Sequence, residues 1–349
     1  SGQRSSKIAF MVPVTGEGMK PMSSNFSHRM REILITSRFF DMYGLEDQIA
    51  AMPGVHCWTE DSPVRFEIMK EGLKRGTGGP GGTRSLRIMG PTMLGMRESL
   101  RSLGKNPDRP RTGAPADLVA DLEAYLLDLG ASSLGYTQVP ERWIFRDKAI
   151  LHTNAIVLTM EMDKVRIETA PSQDGLEAVL EIYRDLGRIA NKGATYLRKR
   201  GFSAHAGHPL NGLALYPPLA QLAGLGWMGA NGMIVTPKHG PRVRLGAIFT
   251  SIENLPFSTG NEHRWVEEYC AACQICVRKC PVGAILPRPE RPGNGQVTYV
   301  SNERCFPYFS DNYGCSVCIA VCPISRSGYE RVKQQFAKLG AGESAESSP

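Results

Sequence analysis

The chain has 349 residues, with 41 Lys and Arg against 34 Asp and Glu and a formal net charge of +7. This length leaves room for one large or two smaller domains besides any small module. The positive excess is modest and no long Lys/Arg run occurs, so composition gives no argument for a nucleic-acid partner. No apolar run reaches membrane-spanning length, and the first residues lack a signal-type region and a twin-arginine pair, so we expect no membrane span and a cytoplasmic location.

The beginning of the chain is rich in Gly, Pro and Met, and 75–90 and 104–115 have the composition of loops. The first of these stretches lacks the Lys-Ser/Thr pair of a phosphate-binding P-loop, so a surface loop is the favoured interpretation. We expect residues 1–113 to cap a site or to mediate a homodimer.

From Pro115 the pattern changes to α/β alternation. Helical spacing predicts a helix over 116–130 that stops on Gly130, followed by a short apolar turn that ends at Tyr136. The later predictions are a buried strand within 149–162, a long amphipathic helix over 174–201, a strand at 202–207, a short proline-initiated helix at 216–224, and strands at 232–237 and 243–251. We expect a layered core over 114–258, a separate module over 259–330, and a helix with a flexible tail over 331–349.

Eight of the nine cysteines lie in the last quarter of the chain, in two runs. The first run is C-x2-C-x2-C-x3-C-P, the spacing of bacterial ferredoxins, and the second ends on the same Cys-Pro pair. The runs consist of Cys270, Cys273, Cys276 and Cys280, and then of Cys305, Cys315, Cys318 and Cys322. They predict two 4Fe–4S clusters and therefore the transfer of single electrons.

The pairing of these cysteines follows from two-cluster ferredoxins, in which the fourth cysteine of each run ligates the other run's cluster. One cluster is expected on Cys270, Cys273, Cys276 and Cys322. The other is expected on Cys280, Cys305, Cys315 and Cys318.

Two other uses of the cysteines fit less well. Disulfides usually spread through a chain, whereas about the first 270 residues contain only Cys57, which we interpret as a small buried hydrophobe. Structural zinc explains the cysteines better than disulfides do, but the spacing of the first run is far more typical of iron–sulfur clusters.

The segment 224–250 has glycines at 224, 226, 229 and 232, which would let a flat ligand approach the backbone. Together with the cysteine runs, it resembles the corrinoid-dependent iron–sulfur reductases, which include reductive dehalogenases and epoxyqueuosine reductases. The stretches similar to dehalogenases are GANG (229–232), TPKHGPRVRL (236–245), EMD (161–163) with APS (170–172), LRKRGF (197–202) and the second cysteine run (305–323). GLGW (224–227) is more similar to the epoxyqueuosine reductases.

This resemblance implies an α+β protein with a nitroreductase-like α/β cobalamin-binding core, followed by a ferredoxin-like module with two 4Fe–4S clusters. Cobalamin would be bound base-off, without a histidine below the cobalt, and the chain indeed has no Asp-x-His-x-x-Gly motif. The residues expected to bind it are His205, His208, Asn211, Leu225, Gly226, Trp227, Gly229, Asn231 and Gly232. His205 and His208 would donate hydrogen bonds to corrin amides or to substrate.

In the dehalogenases a tyrosine donates a proton, and a nearby cation lowers its pKa by favouring the phenolate. The cation corresponds to Arg198 of the LRKRGF stretch, for which the alternative is an arginine that interacts with a helix C-terminus. The stretch that corresponds to the one with the dehalogenase tyrosine is Arg-Trp-Ile-Phe (142–145) in this chain. Phe145 has no proton to donate. Tyr136 or Tyr216 is therefore expected to substitute for it.

The first functional hypothesis is a reductive dehalogenase-like enzyme that acts on a small, halogenated organic substrate and receives electrons from a low-potential donor such as ferredoxin or flavodoxin. The second is an epoxyqueuosine reductase-like enzyme that modifies tRNA, although Leu210 and Asn211 stand where its carboxylate would be expected. The third is a non-catalytic corrinoid-binding or electron-transfer protein. If the resemblance is set aside, the sequence still predicts a two-cluster electron carrier fused to an α/β domain.

Overall fold

A four-stranded antiparallel sheet organises the middle of the chain in this computed structural model. The structure describes residues 49, 52, 54–64, 82–210, 212–293 and 296–346, and only the backbone of 82–84, 86 and 339–346. All of these belong to one compact unit, Asp41–Pro349. The expectation for residues 1–113 stays a prediction, since most of 1–81 lies outside the described residues.

The described strands are β1 His56–Cys57, β2 Ser133–Gln138, β3 Ala149–Ile150, β4 Asn154–Glu161, β5 Ala204–Gly207, β6 Trp227–Met228, β7 Ile234–Val235, β8 Val243–Thr250, β9 Ile285–Glu290 and β10 Thr298–Val300. The described helices are α1 Gly82–Arg101, α2 Ala116–Asp128, α3 Lys164–Glu168, α4 Gln173–Arg198, α5 Tyr216–Leu222, α6 Trp265–Cys273, α7 Ile275–Lys279, α8 Asn302–Asp311, α9 Val317–Ala320, α10 Pro323–Ser327 and α11 Tyr329–Glu346. Short 3-10 turns lie at Ser102–Lys105, Glu141–Trp143 and Glu262–Arg264.

The sheet has the strand order β2-β4-β8-β5, and all three pairings are antiparallel. Side chains alternate between its two faces because the side-chain period of a strand is two residues. Ile156 and Ile248 face one apolar core together with helices α2 and α4. Val157 and Phe249 face a second core together with α5. The result is a three-layered arrangement in which the sheet is covered on both sides.

Helix α4 supplies most of the first layer. Its N-terminus is capped by Ser172, whose Oγ accepts from the Gly175 backbone N–H at 3.0 Å. The chain changes direction just after the helix, at Gly201, which has a φ of +84°. The fully buried Leu186, Ile189, Ala190, Ala194 and Leu197 recur at helical spacing and pack on the sheet. The long amphipathic helix predicted from sequence is therefore present, ending three residues earlier.

Two local predictions are wrong. The apolar turn predicted to end at Tyr136 is strand β2, because its residues pair in register with β4 from Ser133 to Gln138. The part of 75–90 that the structure describes is not a loop, since α1 begins at Gly82. This helix is held by tertiary packing on α4, where Asn191 Nδ2 donates to the Gly95 carbonyl at 2.9 Å.

The C-terminal helix α11 packs against the cysteine-rich part of the chain. Tyr329 at its start is buried, and its hydroxyl accepts from Trp265 Nε1 at 2.8 Å. The ring of Trp265 lies 5.0 Å from that of Tyr329 and contacts the same apolar cluster as Cys270. The predicted helix after residue 331 thus begins at 329 and extends to 346. Among the described helices, none has the length and apolar character needed to cross a bilayer.

We predict that Gly187→Ala destabilises the protein, because α4 meets His208 at this glycine. A Cβ at Gly187 would lie 2.0 Å from His208 Nε2, and the imidazole is buried. Such overpacking lowers the free energy of unfolding by about 2 kcal/mol. Thermal unfolding of the anaerobically prepared protein, followed by circular dichroism, measures this effect.

The matched control is Gly104→Ala in the 3-10 turn Ser102–Lys105, where an added Cβ meets nothing within 4 Å and φ is not positive. This variant should be at least as stable as the parent, since Ala loses less backbone entropy than Gly on folding, a gain of about 0.4–1 kcal/mol. Equal unfolding midpoints for the two variants would contradict the close packing of His208 on α4.

Candidate functional site

His205 lies in β5 and is completely buried. Neither Nδ1 nor Nε2 has a hydrogen-bond partner among the residues that the structure describes. Burial, with smaller contributions from the charges of His152 and Arg198, lowers the pKa of His205 to about 3. The side chain is therefore a neutral imidazole with two unused polar atoms, which is costly unless a ligand or another group satisfies them.

Arg198 connects the end of α4 to β5. Its Nη1 donates to the Ala204 carbonyl at 2.9 Å, and its Nη2 donates to Thr195 Oγ1 at 3.3 Å. Burial lowers the pKa of Arg198, while the charge of Glu98 acts in the opposite direction. The guanidinium thus bonds to the neighbouring strand, and its charge acts on the His205 ring.

Tyr216, the first residue of α5, lies on the same face of β5 as His205. Its hydroxyl accepts from the Leu213 backbone N–H at 3.4 Å. The same hydroxyl lies 2.3 Å from the position that a Cβ on Gly207 would occupy. Since residues two apart in a strand share a face, the Tyr216 hydroxyl and the His205 imidazole are neighbours above β5. His205 therefore has Arg198 as a charged neighbour and Tyr216 beside it above β5.

Tyr136 lies on the opposite face of the sheet. It is buried in the core beneath α2 and α4, and its hydroxyl donates to Glu123 Oε2 at 3.5 Å. Burial raises the pKa of Tyr136, and the Glu123 carboxylate raises it further. Its environment thus opposes the release of a proton, and the sheet separates it from Tyr216.

His208 lies just beyond β5 and faces the junction of α1 and α4. Its Nδ1 accepts from the Leu210 backbone N–H at 3.2 Å, which leaves the proton of the neutral ring on Nε2. That Nε2 has no partner among the described residues, and burial lowers the pKa of His208 to about 3. Asn211, also expected to bind cobalamin, lies outside the described residues.

The loop that follows α5 contains the remaining expected cobalamin contacts. Added Cβ atoms on Gly226 and Gly229 would lie 2.2 Å from the Val235 carbonyl oxygen and 2.9 Å from Val235 Cγ2. Gly232 has a φ of +72° and faces Tyr299. The chain's own packing accounts for these glycines, so their presence alone does not require a flat ligand.

The same loop is hydrogen-bonded to both cysteine runs. The Ala230 backbone N–H donates to the Cys270 sulfur, and Asn231 Nδ2 donates to the Cys318 carbonyl at 3.4 Å. Trp227 packs beside Cys270 in one apolar cluster, whereas Leu225 packs on the core that contains α5. Residues 224–232 therefore connect the sheet to the cysteine-rich part of the chain.

Four thiols form one group of electrostatic neighbours. Burial raises the pKa of Cys270 to about 12, and the sulfurs of Cys322, Cys276 and Cys273 contribute to the rise. Burial likewise raises the pKa of Cys276 to about 11, with contributions from Cys322 and Cys273. These four residues are the set expected to share a cluster.

The other four thiols form a second, adjoining group. Burial raises the pKa of Cys318 to about 12, and Cys315, Cys276, Cys305 and Cys280 contribute. Cys305 has Cys315 and Cys280 as its charged neighbours. The contribution of Cys276 to Cys318 shows that the two groups lie side by side. None of the nine cysteines, all of which lie among the described residues, forms a disulfide.

Backbone N–H groups donate to several of these sulfurs. Ala284 donates to Cys280 Sγ at 3.2 Å, Val317 donates to Cys315, and Ile324 and Ser325 donate to Cys322. Such donors favour the thiolate, the form in which cysteine binds iron. The donor set and the burial of the two groups therefore fit iron–sulfur clusters.

An ion-pair cluster was missed by sequence reasoning, although its members lie in stretches already noted for their resemblance. Glu161 Oε1 accepts from Arg242 Nη1 at 2.6 Å and lies 3.1 Å from His239 Nδ1. Arg242 is buried and also donates to the Met162 carbonyl. The EMD and TPKHGPRVRL stretches thus meet and fix the turn before β8 to the end of β4.

Comparison with known proteins gives two kinds of relative in sequence. Residues 269–325 match the family model described as a 4Fe-4S dicluster domain. A tetrachloroethene reductive dehalogenase of Desulfitobacterium hafniense is 28% identical over 264 residues, which cover 68% of this chain and 46% of the relative. An epoxyqueuosine reductase of Listeria monocytogenes is 30% identical over 115 residues, covering 31% of this chain and 29% of that enzyme. The chain spans less than half the length of these relatives.

Solved reductive dehalogenases share the fold. One is a catabolic enzyme in complex with 3-bromo-4-hydroxybenzoic acid, with a TM-score of 0.59 and 18% sequence identity. The matched region covers 81% of this chain and 44% of that enzyme. Another, described with a mechanism for B12-dependent dehalogenation, has a TM-score of 0.60 and 19% sequence identity. The matched region covers 82% of this chain and 45% of that enzyme. These findings confirm the α+β class and the resemblance. The chain is therefore similar in sequence to reductive dehalogenases and, over a shorter stretch, to epoxyqueuosine reductases; it shares the fold of solved reductive dehalogenases, and residues 269–325 match a 4Fe-4S dicluster domain.

Proposed function

We propose that this protein is an oxidoreductase that removes halide, or a comparable leaving group, reductively from a small organic substrate by means of 4Fe–4S clusters and cobalamin. The observation that carries this proposal is the bonding of the 224–232 loop to both cysteine runs through Ala230 and Asn231. Clusters held by these cysteines would therefore place electrons next to the loop that is expected to contact cobalamin.

The two cysteine groups would hold two 4Fe–4S clusters with the cross-run pairing. Base-off cobalamin would be held by the 224–232 loop and by buried groups near β5. Two observations support this: His205 has two unpartnered ring nitrogens, and His208 has one, among the described residues. Bound cobalamin supplies a strongly reducing cobalt centre. A low-potential donor such as ferredoxin or flavodoxin would supply the electrons.

Residues of the chain itself would donate the proton and exclude water. Replacing a carbon–halogen bond by a carbon–hydrogen bond takes two electrons and one proton and releases a halide anion. Tyr216 is the proposed proton donor, because its hydroxyl lies beside His205 while Tyr136 faces the carboxylate of Glu123. Arg198 would favour the phenolate through its charge. The apolar core around Phe249 would exclude water from this face.

The first test is anaerobic expression with cobalamin supplied, followed by metal analysis, an absorption spectrum and a screen for halide release from chlorinated alkenes and halogenated phenols. About eight irons and one cobalt per chain are expected, with a base-off spectrum and halide release. Protein prepared without cobalamin is the control. Eight irons without cobalt would overturn the corrinoid proposal, and loaded protein without any turnover would favour the electron-transfer hypothesis.

The cluster pairing predicts a selective loss in Cys305→Ser. This variant should lose or convert only the cluster held with Cys315, Cys318 and Cys280, so its iron content should fall by up to about half. Electron paramagnetic resonance of the reduced protein should retain the signal of the other cluster. Cys57→Ser is the control and should keep both clusters. Equal damage to both signals in Cys305→Ser would contradict the pairing.

The two tyrosines give opposite predictions. Tyr216→Phe should lower the halide-release rate by about 100-fold or more, the usual contribution of a general acid, with cobalamin and iron contents unchanged. Tyr136→Phe removes only a hydroxyl that bonds to Glu123 and should keep the rate within about threefold. Because both changes delete one buried hydroxyl, each controls for the other. A larger loss in Tyr136→Phe would reverse the assignment.

A further inference from the structure

A cleft of about 480 Å³ opens at the surface of the cysteine-rich part of the chain. Its walls come from α7, from α10 and from the residue that follows α9. The lining residues are Ile275, Lys279, Val321, Pro323, Arg326 and Ser327.

The walls of the cleft are next to cysteines in the chain. Ile275 precedes Cys276, Val321 and Pro323 flank Cys322, and Lys279 precedes Cys280. Neighbouring Cα atoms are about 3.8 Å apart, so the backbones of three cysteines lie directly beside the cleft wall. Two of them belong to the Cys270 group and one to the Cys318 group. A molecule seated in the cleft would therefore lie close to both expected clusters.

The charge of the cleft is positive. Lys279 and Arg326 are exposed, and neither has an acidic partner among the described residues. Arg278 beside them is also exposed, and it donates from Nη2 to the Cys273 carbonyl at 3.0 Å. Lys164 donates to the Arg326 carbonyl at 3.1 Å, with its own charge offset by Glu168 at 3.9 Å. The lining residues include no carboxylate.

We propose that this cleft is the docking surface for a small, acidic, one-electron carrier protein. The inference rests on the proposed function, since it concerns the source of its electrons. A negative carrier surface would be steered to Lys279 and Arg326, and the apolar Ile275, Val321 and Pro323 would pack against the carrier and exclude water. Each docking oxidises the carrier by one electron and reduces one cluster by one electron. Two dockings supply the two electrons of one turnover.

A basic surface also attracts RNA, but this cleft lacks the features of an RNA site. None of its lining residues is aromatic, so it offers no ring on which an unpaired base could stack. The charge complementarity therefore favours an acidic protein as the occupant.

The test measures cluster reduction without substrate, by anaerobic stopped-flow absorbance with a reduced acidic flavodoxin as the probe. Lys279→Glu combined with Arg326→Glu should slow reduction by about 10-fold or more at low salt, and added salt should narrow the difference. The conservative pair Lys279→Arg with Arg326→Lys should keep the parent rate. Lys105→Glu with Lys192→Glu, two exposed lysines outside the two cysteine runs, makes the same change in net charge and should have little effect.

Two checks keep the outcomes separate. Iron content and reduction by dithionite at high salt should be the same in all variants, which shows that the clusters are intact. Equal flavodoxin rates in parent and charge-reversed protein would overturn the proposal, as would an equal loss in the lysine control pair. Loss of binding to an RNA stem–loop, with the flavodoxin rate unchanged, would assign the cleft to RNA instead. Because cluster reduction is read before any chemistry on substrate, a failure of halide release leaves this result interpretable.

Discussion

The contact between the loop after α5 and the cysteine runs is the constraint on which the rest of the arrangement depends. Ala230 and Asn231 bond to Cys270 and Cys318, which belong to different groups of thiols. At the other end of this loop, Leu225 packs into the core under the sheet. Helix α5 links this loop to Tyr216 over seven residues, a length of about 10 Å. A continuous series of contacts thus joins the cysteines, the loop and the face of β5 that carries His205.

The polar face of β5 is maintained at an energetic cost. A buried polar atom without a partner costs about 1–3 kcal/mol; among the described residues His205 has two such nitrogens and the nearby His208 has one. The surrounding structure compensates through close packing, with Gly187 and Gly207 leaving room for His208 and for the Tyr216 hydroxyl. Arg198 adds a hydrogen bond from α4 to the strand itself. Unsatisfied polar atoms that persist in such a well-packed region are typical of functional sites.

The sequence predicted the features that depend on spacing along the chain. The cysteine runs, helix α4 and strands β4, β5 and β8 follow from periodicity or from fixed intervals. Strand β2 was missed because its edge pairing with β4 is a tertiary effect, and Gly135 weakens the strand signal. Sequence alone left Tyr136 and Tyr216 equivalent. Only the opposite faces of the sheet distinguish them, and that difference depends on which helix covers each face.

The alternation of side chains along β5 also bears on how such a protein diversifies. Ala204 and Ala206 belong to the core beneath α4, whereas His205 and Gly207 face the other layer. Gly207 leaves no room for a side chain, because an added Cβ would lie 2.3 Å from the Tyr216 hydroxyl and 3.0 Å from Phe249 Cε2. His205 is therefore the position of this strand at which a substitution changes a polar group on the Tyr216 side without disturbing the core beneath α4. A strand of four residues thus separates the packing that holds the fold from the polar side chain that a related chain could exchange.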